Sequence, residues 1–558
     1  MFFRIKKSGP REYLQIVQSR REDGNVKQEV IATIGRFDVL KANGALEGLL
    51  RSGVKFSEKV AILEEGIQGQ SISSMEQIIG LPMVFDRLWK ETGIKATIDS
   101  HLRERKFRFA VERAIYLTVL HRLSRSGSDR AAEKWQKGYK IEGSEGLELH
   151  HIYRAMAWLG EELPEAYQKG ATPFTPRCVK DMIEEGIFQE NRDLFGDLTL
   201  VFFDTTSIYF EGEGGEAIGA HGHSKDHRPD LKQMVVGIVI DSEGTPICCE
   251  MWPGNTTDVK TLLPILDRLK IRFGIQKICI VADRGMISKE TVREIKQTPG
   301  LQYILGVRMR NVKEVREEVL SCGGQYEEVY PKSPGSKAPS PLKVKEVTLN
   351  NTRYIICFNE DQATKDAKDR EAIIASLKDK LKQGEKSLVG NKGYRKYLKN
   401  VGVAFEIDED KIKNEYRYDG KWVLTTNTEF SARETALQYK QLWMVEQIFR
   451  TMKTILTTRP IYHKCDETIR GHVFCSFLSL LLIKELQKRL SANGCEAEWA
   501  DIINDLEDMR ETIIETGNKT SILRSELKDK AGKAFQAAGV AVPQKIRIMG
   551  NNEKKGAV

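Results

Sequence analysis

Between Leu198 and Phe210 the chain carries an almost unbroken row of apolar, β-branched and aromatic side chains, interrupted by one carboxylate, Asp204. A row of that kind predicts a strand buried on both faces. Near the N-terminus the pattern alternates instead: Tyr13–Val17 and Val26–Ile34, separated by the polar run 20–25, predict a hairpin. From about Gly80 the period turns helical, with Val84 and Leu88, then Ile115, Val119 and Leu123, and again across Leu147–Leu159. The region to about residue 185 therefore reads as mainly α. After the Asp204 strand, Gln233–Ile240 and Ile247–Trp252 follow with short polar connections, which predicts an antiparallel meander. Asp258–Lys270 opens on a capping Asp and repeats its apolar residues along one helical face, so it reads as a crossover helix. It leads to Lys277–Asp283, a second buried strand that returns parallel to the first by the handedness rule. A helix from Ser288 to about Lys296 and a strand Tyr303–Val307 complete a five-stranded mixed sheet of the α/β class.

From about 308 to 420 the pattern changes to a Pro-rich connector (Pro331–Pro341), short strands at 343–349 and 353–358 and a charged helix near 369–382, an inserted β-rich subdomain. Trp422–Thr426 returns to a strand, and a long helix from about Ala432 carries Glu446. The expected organisation is a β-hairpin region over 1–75, a helical region over 76–185, an α/β core over 186–307 and 421–485 around the insertion, and a helical C-terminal region over 486–558.

Composition narrows this modestly. At 558 residues the chain is long enough for several domains. Lys and Arg outnumber Asp and Glu by 87 to 79, a net +8 that tolerates a polyanionic partner without demonstrating one. Arg103, Arg105, Lys106, Arg108, Arg113, Arg122, Arg125 and Arg130 crowd the helical block. Two readings stand for them, a face laid along a phosphate backbone or an ordinary solvated face. The nine cysteines form no C-x-x-C pair and no regular spacing, which fits a reducing cytosol better than a disulfide framework or zinc ribbon. The N-terminus lacks the apolar core of a signal peptide, and the longest apolar run, Val473–Ile483, is too short to span a bilayer. His221, His223 and His227 lie close together, but in a Gly- and Lys-rich connection where hydrogen bonding or DNA contact is commoner than zinc.

The candidate chemistry lies in the acids. Asp204 within a buried strand needs a cationic partner or a metal ion. Asp283 closes a neighbouring strand, where α/β sheets collect ligands. On a helical wheel Tyr439, Arg450 and Lys453 fall within about 40° of Glu446, apart from the apolar stripe of Val445, Ile448, Phe449 and Met452. Glu446 with Arg450 also fits a plain helix-face ion pair. Together the three carboxylates suit Mg²⁺ or Mn²⁺, and two such ions about 4 Å apart activate an attacking oxygen and stabilise a leaving one.

The third-acid segment, Tyr439-Lys-Gln-Leu-Trp-Met-Val-Glu446-Gln-Ile-Phe-Arg-Thr-Met-Lys453, resembles the Y-x2-R-x3-E-x6-K motif of DDE transposases of bacterial insertion sequences, with Leu442 at the Arg position. Phe202–Ser207, Val281–Gly285 and Gly222–Leu231 are also similar to that family, and the long interval between Asp283 and Glu446 has room for its β-strand insertion. The resemblance covers about residues 80–485. It implies a ribonuclease-H-like core, with Asp204, Asp283 and Glu446 as catalytic metal ligands for two Mg²⁺ or Mn²⁺ ions, and DNA contacts from Tyr439 and Lys453; the phosphate contact missing at Leu442 is expected instead from Arg450, one turn after Glu446 on the same helical face. It further implies cleavage at transposon ends and joining of the freed 3′-hydroxyls to target DNA by a dimer or higher assembly in the bacterial cytoplasm at the nucleoid, with no membrane partner. The same core serves nucleases without strand transfer, and a DNA-binding protein that keeps the fold without catalysis is the remaining alternative.

Overall fold

The computed structural model describes residues 2–550 apart from 23–24, 47, 50–71, 170, 172–174, 191, 193–194, 196–197, 276, 331–339, 383–395, 402–403 and 517–518. The middle of the expected 20–25 turn and nearly all of the Pro-rich connector lie outside the described residues. The chain divides into two compact units, one made of 1–79, 507–528 and 541–558, the other of 80–506 and 529–540.

In the first unit, Phe2–Ser8, Arg11–Glu22 and Asn25–Arg36 form a three-stranded antiparallel sheet. The second and third strands contain the two stretches of the expected hairpin; the first, with two consecutive Phe and two consecutive Lys, lacked a clear alternation. A second sheet pairs Ile72–Ile78 with Arg510–Thr516, followed by Lys519–Arg524 and Ile546–Gly550. The expectation of a helical C-terminal region is corrected in part: the helices Trp499–Glu507 and Asp529–Ala537 lie there, but so do the last three of these strands. β-Branched residues such as Thr512, Ile513, Ile514, Thr520 and Ile522 favour strands, and Ile72–Ile78 from the other end of the chain supplies their partner.

The second unit begins with helices α1 (Gly80–Glu91), α2 (Ile94–Leu102), α3 (Val111–Arg125), α4 (Leu149–Leu159) and α5 (Val179–Glu190). A mixed sheet follows: β1 (Leu200–Tyr209), β2 (Gln233–Ile240), β3 (Pro246–Pro253), β4 (Ile278–Ala282), β5 (Leu301–Val307), β6 (Glu327–Val329), β7 (Leu342–Leu349), β8 (Thr352–Phe358) and β9 (Lys421–Thr426), with α6 (Leu262–Phe273) between β3 and β4. The spatial order is β6-β7-β8-β9-β5-β4-β1-β2-β3. β1, β4 and β5 run parallel and every other neighbouring pair is antiparallel. The five expected strands are contiguous, and β6, β7 and β8 of the insertion extend the same sheet through β9, which pairs with β5, while Leu398–Val401 and Ala404–Ile407 of the insertion form a two-stranded sheet of their own.

Three local expectations are corrected. Asp258 does not cap α6; it opens a short 3₁₀ turn, Asp258–Lys260, and its carboxylate is engaged elsewhere. The charged helix near 369–382 starts nine residues earlier and runs from Glu360 to Lys382. The single helix expected from Ala432 is two, α7 (Ala432–Lys440) and α8 (Trp443–Thr454), parted at Gln441–Leu442 where the Gln441 N–H bonds back to Gln438 and Tyr439 carbonyls. No Gly or Pro announces that break.

The long helix α9 (Asp466–Ala492), buried across Val473–Ile483, packs against α3 and α4. Its approach to α4 needs two glycines: a Cβ on Gly471 would lie 1.9 Å from the Met156 carbonyl oxygen, and one on Gly160 would lie 2.0 Å from that of Glu467. A buried charge cluster ties α5, α6 and β3 together, with Arg272 reaching Glu184 at 2.9 Å and Glu250 at 2.8 Å, and Lys180 reaching the Cys249 carbonyl at 2.9 Å. Among the described residues no helix is long and apolar enough to cross a membrane.

Candidate active site

β1 and β4 set the first two acids side by side. Their parallel register pairs Phe203 with Ala282, so Asp204 and Asp283 are the next residues along two neighbouring strands. Asp204 is half-buried. Burial pushes its carboxyl up to about 6, Asp283 and Asp258 push the same way, and Lys225 with the Thr205 N–H pulls part of it back. A site that leaves a carboxylate short of positive charge fits a cation ligated by oxygen. Asp283 accepts a hydrogen bond from the Tyr439 hydroxyl at 2.8 Å. The tyrosine fits because β5 has Gly306 beneath it, where an added Cβ would lie 2.5 Å from that hydroxyl oxygen.

The connection after β1 braces the site from the other side. The Lys225 ammonium donates to the Thr205 carbonyl at 2.8 Å and Oγ1 at 2.9 Å and lies 3.2 Å from Asp258, which in turn accepts from Thr205 Oγ1 at 2.7 Å. The Lys225 N–H donates to Ser207 Oγ at 2.7 Å. The next residue, Asp226, takes a different element: Lys453 of α8 at 2.9 Å, with Arg459 Nε at 3.4 Å.

Glu446 stands exposed on α8 and lines a groove of about 1400 Å³ together with Asp204 and Asp283. Arg284, Trp422, Arg433, Tyr439, Lys440 and Leu442 line it too. All three expected acids therefore face one groove, although their oxygens do not close to within 4.8 Å of one another. The DNA contacts expected beside Glu446 are placed differently. Tyr439 lies on α7, before the helix break, with its hydroxyl committed to Asp283. Lys453 is turned inward onto Asp226 and only 13% exposed. Arg450 is exposed, forms no ion pair with Glu446 or any other described acid, and lies outside the groove lining. Sequence reasoning missed Arg284 and Arg433 as groove guanidinium groups, and Thr205, Lys225, Asp226 and Asp258 as the supporting shell. The stretch Gly222–Leu231, noted for its similarity to the family, was the one signal for Lys225 and Asp226.

The basic helical block also separates. Arg113 is spent on Glu112 and Asp86, and Arg122 is buried against α9, reaching His472 Nδ1 at 2.9 Å and the Ser476 hydroxyl. Arg105 pairs with Glu161 at 2.5 Å. Arg103, Lys106 and Arg108 are exposed. His221, His223 and His227 are exposed on their connection. Asp129, His463 and His472 do bring ligand atoms within 4.8 Å of one another. Those atoms are already bonded: His463 Nε2 lies 3.1 Å from Asp129, His472 Nε2 lies 3.1 Å from the Thr458 carbonyl, and the Arg122 guanidinium occupies the Nδ1 side. The trio reads as a structural network joining the helical block to the segment after α8.

Two family models match the chain: the transposase DDE domain over residues 196–482, and the N-terminal domain of IS1634 family transposases over residues 3–66. No curated protein matches it. The first match spans more than half of the sequence and contains β1, β4, α8 and the groove between them, so the chain belongs to the DDE transposases of insertion sequences, enzymes that use divalent metal ions to cut and join phosphodiester bonds at transposon-end DNA.

Proposed function

We propose that Asp204, Asp283 and Glu446 are the catalytic acids of this transposase and hold two Mg²⁺ or Mn²⁺ ions. The observation that carries the reading is the shared groove: one acid within β1, the second just past the end of its parallel neighbour β4, the third on α8, all oxygen donors. Ions bound there supply the charge that activates an attacking oxygen and stabilises the leaving one. The chain's own residues prepare the site. Tyr439 fixes the Asp283 carboxylate, and Lys225 partly offsets the charge of Asp204 and Asp258. Arg284 and Arg433 in the groove, and Arg450 beyond it, are placed to grip phosphates.

In this reading the enzyme cleaves at transposon ends and joins the freed 3′-hydroxyls to target DNA. It works as a dimer or higher assembly that brings two ends together, in the bacterial cytoplasm at the nucleoid. Exposed Arg103, Lys106 and Arg108 in the helical block bind end DNA. The test is a strand-transfer assay with pre-cleaved end DNA, supercoiled target and Mg²⁺. Joined products are expected; hydrolysis with no joining under conditions that support cleavage assigns a nuclease instead.

A further inference from the structure

The segment Ala220–Lys232 is tied down at several points. Its start pairs with Gln233, and a Cβ on Gly222 would lie 1.9 Å from the Gly254 carbonyl oxygen. Ser224 Oγ accepts from the Asp226 and Arg228 N–H groups. Successive side chains then grip two different elements, Lys225 the first-acid strand and Asp226 the third-acid helix. Lys453 lies seven residues after Glu446 on α8, so the two differ by only about 20° around the helix axis. An ion pair at Lys453 therefore sets which way the Glu446 face points. The pair is shielded, with the two side chains 13% and 6% exposed, and α8 offers no other basic side chain to Asp226.

We infer that Asp226 is a positioning residue for Glu446: through Lys453, with Arg459 beside it, it fixes the azimuth of α8 and so directs the third acid toward Asp204 and Asp283. This rests on the proposed role of the three acids. It also gives Lys453 an internal function in place of the phosphate contact expected from its motif.

The experiment is a double-mutant cycle on the full-length protein with Asp226→Asn, Lys453→Met and the double variant. Three readouts are taken: Mn²⁺ affinity from the electron paramagnetic resonance signal of free Mn²⁺, end-DNA binding as a function of salt, and melting temperature. Losing a residue that orients a metal ligand typically weakens metal affinity about 10- to 100-fold. Each single variant is expected to weaken Mn²⁺ binding in that range, and the double variant no further, because all three remove the same pair. End binding and its salt slope stay at the parent values. Unchanged Mn²⁺ affinity in folded variants overturns the inference, as does a Lys453→Met variant whose only defect is a salt slope lower by about one, the mark of a lost phosphate contact. If Asp226→Asn fails to fold because Lys453 and Arg459 lose their counter-charge, Lys453→Met alone decides. Glu446→Gln run in parallel separates the two claims. Wild-type Mn²⁺ affinity in Glu446→Gln removes the three-acid reading, whereas weakened binding there with parent-like Asp226→Asn removes only the positioning role.

Discussion

The Tyr439 hydroxyl donates to the Asp283 carboxylate at 2.8 Å across 156 residues of sequence, over a glycine, Gly306, that leaves room for the ring. A hydrogen bond to a charged group contributes about 1.5–3 kcal/mol, and orienting partners of metal ligands change affinity about 10- to 100-fold. Tyr439→Phe is therefore expected to slow end cleavage by about that factor at limiting Mg²⁺ while leaving end binding intact. Gly306→Ala, which pushes a methyl into the hydroxyl, should reproduce the defect. Cleavage rates as a function of Mg²⁺ check both, and parent-like curves would show that the bond is incidental.

The guanidinium groups near the site differ in position, and their variants should differ accordingly. Arg433 lines the groove and Arg450 does not. Arg433→Ala is expected to lower the salt slope of end binding by about one and to slow cleavage at saturating DNA. Arg450→Ala should lower the slope similarly with cleavage at saturating DNA unchanged. Slopes from binding isotherms at several salt concentrations, with single-turnover rates, test this pair.

On the helical block, exposed Arg103, Lys106 and Arg108 form no ion pair with a described acid, whereas Arg113 and Arg122 of the same basic cluster are structural. Replacing the three exposed residues with Gln should reduce the salt slope of end binding by about three, since each phosphate contact contributes roughly 0.9. The melting temperature should not move. Arg122→Gln should do the reverse, lowering the melting temperature with little change in slope.

Acid should weaken the junction between this block and α9. Burial, with Arg122 beside it, holds His472 well below its usual range, against a smaller opposing pull from Asp129; His463 also faces it. Burial, again with Arg122, brings His121 down to about 4, with Asp129 opposing. Both imidazoles are neutral in the fold and protonate near 6.5 when unfolded, so the unfolded chain binds more protons below pH 6.5 and stability falls as pH falls. For His121 alone the loss at pH 5 is on the order of 2 kcal/mol. Asp129, held down at about 2, contributes stability that is lost only at far lower pH, as it drops from about 4 through 2. Melting temperatures between pH 7 and 5 should decline, and less steeply in His121→Gln.

The hydrophobic pattern made the framework of the site readable. Asp204 and Asp283 sit within or at the end of apolar, β-branched runs that read as buried strands, and Glu446 stands off an apolar helical stripe, so each acid was visible as a break in a pattern. The supporting shell has no period. Lys225 and Asp226 lie in a polar connection, and their partners, Thr205, Asp258, Lys453 and Arg459, arrive through chain closure over tens to hundreds of residues. Asp258 carried the signature of a helix cap and is used instead as an acceptor for Thr205. The break before α8 has no proline or glycine to mark it, and it is what separates Tyr439 from the wheel of Glu446. The C-terminal strands were hidden because their first partner, Ile72–Ile78, lies more than 400 residues away.

The central claim is that Asp204, Asp283 and Glu446 act together on scissile phosphates through bound metal. The most direct measurement is Mg²⁺-dependent cleavage of transposon-end DNA by Asp204→Ala, Asp283→Ala and Glu446→Ala, alongside their end-binding affinity. Each variant is expected to bind ends at close to the parent affinity and to lose cleavage by a factor matching several kcal/mol of transition-state stabilisation, with no further loss when two are combined. Parent-level cleavage by any of the three variants would contradict the assignment of that acid, and by all three would contradict the account.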